Sequence, residues 1–248
     1  MSSFLAPGTG PDAPLHGELR YGVELLRLLA DGDFRRPGRR PDAPGVLLLP
    51  GFMAGDGSLR VLARWLGRRG SATSGSGIVI NADCAERTLE GVEVRLRSLC
   101  ERSGGRVVLV GQSRGGELAR VVAVRNPDLV SAVVMLGSPV VGPLDVNPAV
   151  LGTVRAVARL GDVGVPWMLS RRCGDGECCA DFREQLLAPL PDGVRGVAVY
   201  SRSDGIVAWR SCLDPSSEHV EVRSSHGGMS VHPDVYRVLG RVLDEVAG

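Results

Sequence analysis

A serine hydroxyl becomes a nucleophile only when a base removes its proton, so Ser113, set in VLVGQSRGGELAR, directs the search for chemistry. The stretch RVVLV before it is short, β-branched and bounded by glycine, whereas ELARVVAVR after it carries a helical apolar pattern. Ser113 therefore sits at a strand-to-helix turn. A turn that sharp needs neighbours without bulk, which Gly111 and Gly115 supply, and Gly116 gives the helix room to approach. The hydroxyl then points out above the sheet.

The chain contains no lysine, which removes Schiff-base, P-loop and Ser-Lys chemistry and leaves histidine as the base. Of His16, His219, His226 and His232, the best placed is His226, in the glycine-rich VRSSHGGMS just past the last strand candidate. Loops at the carboxyl ends of parallel strands gather on one edge of a sheet, the edge that also carries Ser113. His16 falls in a polar N-terminal helix, and His219 and His232 start a strand and a helix, where capping and surface roles are common. An imidazole base needs an acceptor on its other nitrogen, and Asp204 in AVYSRSDGIV follows the penultimate strand candidate. The chain order Ser113, Asp204, His226 is one of the known triad orders; Asp145 and Asp162 are the fallbacks. Donors for a developing oxyanion are expected from the amide of Arg114 and from the loop LLLPGFMAGD, at Phe52 or, next to it, Met53.

Strands and helices must alternate to place these groups together. Apolar strand candidates are GVLLLP (45–50), GIVI (77–80), RVVLV (106–110), AVVML (132–136), RGVAVYS (195–201) and HVEVR (219–223). Leu59, Leu62, Ala63 and Leu66 recur at helical spacing, as do Leu89, Val92, Leu96 and Leu99, and Val235 through Val246. A further amphipathic helix runs from about Leu15 to Ala30, between a Pro/Gly-rich tail (1–14) and a linker (35–44). The expected architecture is one α/β domain over 1–248, with a mostly parallel sheet of about six strands flanked by helices. Residues 139–194 exceed an ordinary connection and read as an inserted cap containing the helix candidate NPAVLGTVRAVARLGD. Within it, Trp167, Met168 and Leu169 read as packing of the cap rather than a substrate-facing patch.

Composition narrows the partners. The 248 residues, 44% hydrophobic, suffice for a full core, and 29 basic against 28 acidic residues (net +1) offer no bulk attraction to nucleic acid or anionic lipid. No signal-like or membrane-spanning apolar run is present, so a cytoplasmic protein without a stable membrane anchor is expected. Six cysteines are too few for a disulfide scaffold. The cluster Cys173, Cys178, Cys179 has a spacing that matches no usual zinc pattern, so free thiols or a structural pair are expected there, with a disulfide to Cys212 open. No metal and no cofactor are expected.

The segments PGFMAGD, GQSRGG, SRSDG and SHGGM, in that order, resemble the α/β-hydrolase superfamily, and the PGF loop and short N-terminal part look most like bacterial lipase/esterase-type members. The resemblance covers roughly 45–246 and departs from the family pattern in PGF, where HG is commoner, and in the charge on Arg114. It implies a serine hydrolase that cleaves a carboxylic ester or thioester of a lipophilic acyl substrate. Two other readings use the same residues: an acyltransferase or chain-releasing or cyclising thioesterase, and a ligand receptor built on a hydrolase fold. Retention of all four elements argues against the receptor. Oligomeric state is not legible.

Overall fold

Near-continuous runs of Val and Leu, apolar on both faces, are what a parallel sheet covered on two sides requires. In the computed structural model, which describes residues 10–247, these runs form β1 (Val46–Leu49), β3 (Val107–Gln112), β4 (Val130–Leu136) and β5 (Arg195–Tyr200), while the edges are the short polar strands β2 (Thr73–Gly75) and β6 (Glu218–Glu221). All pairings are parallel, in the order β2-β1-β3-β4-β5-β6. Alternate side chains part to opposite layers. Val46 and Leu48 pack with α1 (Tyr21–Ala30), α2 (Gly32–Arg35), α3 (Arg60–Arg69) and α9 (Pro233–Ala247). Leu47 and Leu49 pack with α4 (Ala85–Ser103), α5 (Arg114–Arg125) and α8 (Ala180–Leu187).

The strand order reverses between β1 and β3, so the helices that follow these neighbours, α3 and α5, leave toward opposite faces. A crevice opens at their carboxyl ends, where parallel α/β sheets place their ligands. Ser113 follows β3 and the PGF loop follows β1, one on each side of it.

Two sequence expectations need correction. GIVI (77–80) is not a strand: β2 ends at Gly75, and Asp56 turns the chain by accepting from the Ser76 amide and hydroxyl (3.1 and 2.7 Å) and the Gly77 amide (2.8 Å). Gly77 then takes a left-handed φ of 83°, and Val79 and Ile80 are exposed. The N-terminal helix is also split, with a 3-10 stretch Leu15–Arg20 before α1. The three helices anticipated from apolar spacing form as α3, α4 and α9. Of the N-terminal tail, residues 1–9 lie outside the described residues.

The segment 139–194 holds α6 (Pro148–Asp162), α7 (Arg172–Asp175) and α8. Pro148 opens α6 at a position where its missing N–H costs nothing, and Asn147 caps it by accepting from the Ala149 amide. Arg120 of α5 fastens the segment to the core by donating to the carbonyls of Gln185 and Ala188 (3.2 and 2.8 Å), and it is held in place by a buried bidentate pair with both oxygens of Asp214 (2.9 and 3.1 Å). Asp214 also accepts from the Ser216 amide and the Ser217 hydroxyl, so both of its oxygens are fully engaged, as a buried charge requires. Among the described residues no helix is long and apolar enough to cross a membrane.

Candidate active site

Among the described residues, Ser113 is one of three non-glycine residues with positive φ, at φ 53° and ψ −129°. That conformation is costly for a side-chain-bearing residue and persists only when packing imposes it. Here the packing is backbone against backbone at Gly111 and Gly115, and against a side chain at Gly116. A Cβ on Gly111 would strike Gly115, one on Gly115 would strike the Leu49 and Pro50 carbonyls, and one on Gly116 would strike Ser138. β3, β1 and α5 thus meet closer than any side chain allows.

Asp204 and His226, expected from sequence to act together, are in contact and buried. The His226 Nδ1–H donates to Asp204 Oδ2 at 2.7 Å, and Asp204 Oδ1 accepts from the Ile206 and Val207 amides, both at 2.8 Å. The two loops are stitched by Ser201, whose hydroxyl donates to the Ser224 carbonyl (2.7 Å) and accepts from its amide (3.2 Å). Gly137, at φ 58° after β4, leaves space for the imidazole: a Cβ there would lie 3.1 Å from Nδ1. Gln112, beside Ser113, donates from Nε2 to the His226 carbonyl at 3.0 Å and ties the serine turn to the histidine loop. Ser113 Oγ itself makes no hydrogen bond among the described residues, and in ligand-free sites this contact often forms only with substrate. Burial opposes charge on His226, but the Asp204 carboxylate and its hydrogen bond, with the Glu18 charge, outweigh it and raise the imidazole above its ordinary 6.5.

The other candidates are occupied elsewhere. His16 is exposed, the His219 ring meets the Asp214 carbonyl at 2.7 Å, and His232 Nδ1 accepts from the Asp234 amide as α9 begins. Asp145 accepts from the Gly10 amide, and Asp162 pairs with Arg171. Of the two donors expected after β1, Met53 is the less suited, because its amide already donates to the Asn81 carbonyl at 3.1 Å. The Phe52 amide has no acceptor among the described residues, and Arg114 as first residue of α5 has none within the helix. The Arg114 guanidinium is bound by Asn81 Oδ1 (2.9 Å) and by the Asn81 and Asp83 carbonyls.

Three residues without a role in the sequence reading hold this arrangement. Asn81 donates from Nδ2 to the Pro50 carbonyl (2.7 Å) and bridges the PGF loop to Arg114. Glu18 accepts from the amides of Gly205, His226 and Gly227 at 2.9, 3.0 and 3.2 Å, clamping both loops at once. Glu24, buried on α1, accepts from the Ser225 amide at 2.8 Å and from its hydroxyl. Carboxylates at the spacing of an amphipathic helix look like its solvent face, so only the fold reveals their partners.

A cavity of about 350 Å³ lies above Ser113, Phe52 and Arg114, roofed by Leu151, Val154 and Ala158 of α6. Leu169 lines it while Trp167 is exposed, so the apolar trio of the cap is divided. Glu117 of α5 also lines the cavity, and burial raises its carboxyl to about 8 against the opposing pull of Arg114. All six cysteines are free thiols. The disulfide left open to Cys212 is absent, since that thiol is buried against the Ala208 carbonyl, and Cys173, Cys178 and Cys179 gather instead with Cys84.

No family model matches the chain, and no curated protein does. Solved structures do. A lipase of Bacillus licheniformis is similar over 83% of this chain and 94% of its own, at TM-score 0.63 and 15% identity. A monoglyceride lipase of Saccharomyces cerevisiae is similar over 84% and 89%, at TM-score 0.58 and 14% identity. A thioesterase domain from the curacin biosynthetic pathway is similar over 83% and 92%, at TM-score 0.52 and 16% identity. The fold is that of the α/β hydrolases.

Two outcomes follow. Ser113→Gly should be more stable than Ser113→Ala by about 1–2 kcal/mol in urea unfolding, because only glycine relieves the left-handed turn; equal stabilities would mean the turn is unstrained. Glu117 keeps its proton in the fold up to about pH 8 but releases it near 4.5 when unfolded. The native state thus binds more protons in that window, and stability falls as pH rises through it, by up to about 1.4 kcal/mol per pH unit. Urea unfolding between pH 5 and 8 should show this slope in wild type and a flatter one in Glu117→Gln; parallel profiles would contradict the assignment.

Proposed function

We propose that this α/β-hydrolase-fold protein is a serine hydrolase that cleaves a carboxylic ester or thioester of a lipophilic acyl group. The observation carrying the reading is the buried Asp204–His226 pair, 2.7 Å apart, tied through Gln112 to a serine held at positive φ beneath an aliphatic cavity. An ordinary loop histidine needs neither the carboxylate nor the strained serine. The lipases, esterase and thioesterase of like fold support ester and thioester as the substrate class.

In this reading His226 Nε2 takes the proton of Ser113 Oγ as the oxygen attacks the substrate carbonyl. Asp204, held by two backbone amides, keeps the Nδ1–H tautomer and stabilises the imidazolium. The amides of Phe52 and Arg114 receive the oxyanion. The imidazolium then protonates the leaving alcohol or thiol, and a water activated by the same ring releases the acid. The cavity is at the small end of ligand sites, and Leu151, Val154 and Ala158 of its roof would pack an acyl chain, with Arg155 and Arg159 of the same helix also on its lining.

A fluorophosphonate probe, with intact mass and peptide mapping, should place a single adduct on Ser113, lost in Ser113→Ala. On p-nitrophenyl esters, Ser113→Ala and His226→Ala should lower turnover by about a million-fold and Asp204→Asn by about ten-thousand-fold, with the fold intact. A folded wild type that takes no probe would favour a receptor; full activity in Asp204→Asn would remove it from the machinery.

A further inference from the structure

The sulfur atoms of Cys84, Cys173, Cys178 and Cys179 all lie within 4.8 Å of one another, and the proposed chemistry uses none of them. Three come from the inserted segment: Cys173 from α7, and Cys178 and Cys179 from the 3-10 turn that follows it. The fourth, Cys84, stands just before α4 in the core, 95 positions from Cys179. Measured separations are 3.4 Å for Cys84–Cys179, 3.9 Å for Cys173–Cys178 and 4.0 Å for Cys178–Cys179.

We infer that these four cysteines form a tetrahedral Zn²⁺ site that fastens the 139–194 segment to the core. Zn–S bonds of about 2.3 Å in a tetrahedron put sulfur atoms roughly 3.8 Å apart; the three separations above bracket that value, and all four sulfurs lie within 4.8 Å of one another. Disulfides pair sulfurs at about 2.0 Å and join only two at a time. An iron–sulfur cluster spreads its cysteines around several metal ions and needs a wider cage. The surroundings also suit thiolates. The Ser170 amide points at Cys173 Sγ from 3.4 Å, an outer hydrogen bond of the kind that orients a metal ligand. Four thiolates on Zn²⁺ leave two negative charges, and the guanidinium groups of Arg87 and Arg114 lie within electrostatic reach of Cys84 and Cys173. Cys84 and Cys179 are buried and Cys178 is exposed, so the site has a protected floor and an entry side.

Four protein ligands fill the coordination of zinc and leave no position for water, so the role is structural. The thiols give up their protons as the ion binds. Cys173 and Cys179 also line the cavity above Ser113, and the ion would hold that wall in place. The spacing C-x4-C-C gave no hint of this, because the ligand that completes the set is distant in sequence and had no role in the sequence reading. The site departs from the expectation of no metal, and it rests on the sulfur geometry whether or not Ser113 is a nucleophile.

The test is metal content by inductively coupled plasma mass spectrometry, on full-length protein made in zinc-supplemented cells and purified without chelator or a histidine tag. Wild type should carry close to one zinc per chain. Cys178→Ser, at the exposed ligand, and Cys84→Ser should each retain at least about tenfold less, while Cys212→Ser, outside the cluster, keeps it. Wild type needs no variant to fold and decides the matter alone: folded protein without zinc that takes up none when titrated with Zn²⁺ under reducing conditions overturns the site. So does stoichiometric zinc in folded Cys84→Ser, or iron in place of zinc.

Discussion

Backbone-on-backbone contact between β1, β3 and the start of α5 is the constraint on which the site rests. Gly115 lies against the carbonyls of Leu49 and Pro50, Gly111 against Gly115, and no side chain fits between them. The turn cannot relax, so Ser113 is driven to φ 53°, with its hydroxyl beneath the cavity. The same approach brings the PGF loop beside the first amide of α5, so one close contact sets two candidate oxyanion donors and the serine. Position is then a property of the sheet rather than of flexible loops.

The histidine side of the crevice is built differently. Its loops follow β5 and β6, the last two strands toward one edge of the sheet, and their alignment depends on carboxylates delivered by the N-terminal segment. Glu18 gathers three amides from two loops, and Glu24 holds Ser225 next to His226. Carboxylates placed against packed loops in this way satisfy backbone donors otherwise left unpaired. The segment before β1 is therefore part of the site's support, not an ornament to the fold.

Much of this was legible in the sequence because it depends on local periodicity and on strand ends. The buried faces of α3, α4 and α9 followed from apolar spacing, and Asp204 and His226 from their places after strands. What escaped were interactions between distant segments. GIVI was apolar enough for a strand, yet Asp56, twenty residues earlier, diverts the chain into a loop whose Asn81 then bridges Pro50 and Arg114. Glu18, Glu24 and Cys84 carry no local pattern that distinguishes them from surface acids or a lone buried thiol. Their partners are set by topology, which residue spacing does not encode.

The central claim is that Asp204 and His226 work as one electrostatic unit, and an NMR titration of isotopically labelled imidazole in wild type and Asp204→Asn tests it most directly. The carboxylate stabilises the imidazolium, so His226 should titrate above its ordinary 6.5 in wild type and at lower pH once that charge is removed. An unchanged titration in the folded variant would contradict the account, because the 2.7 Å contact would then be doing nothing to the proton it is assigned to control.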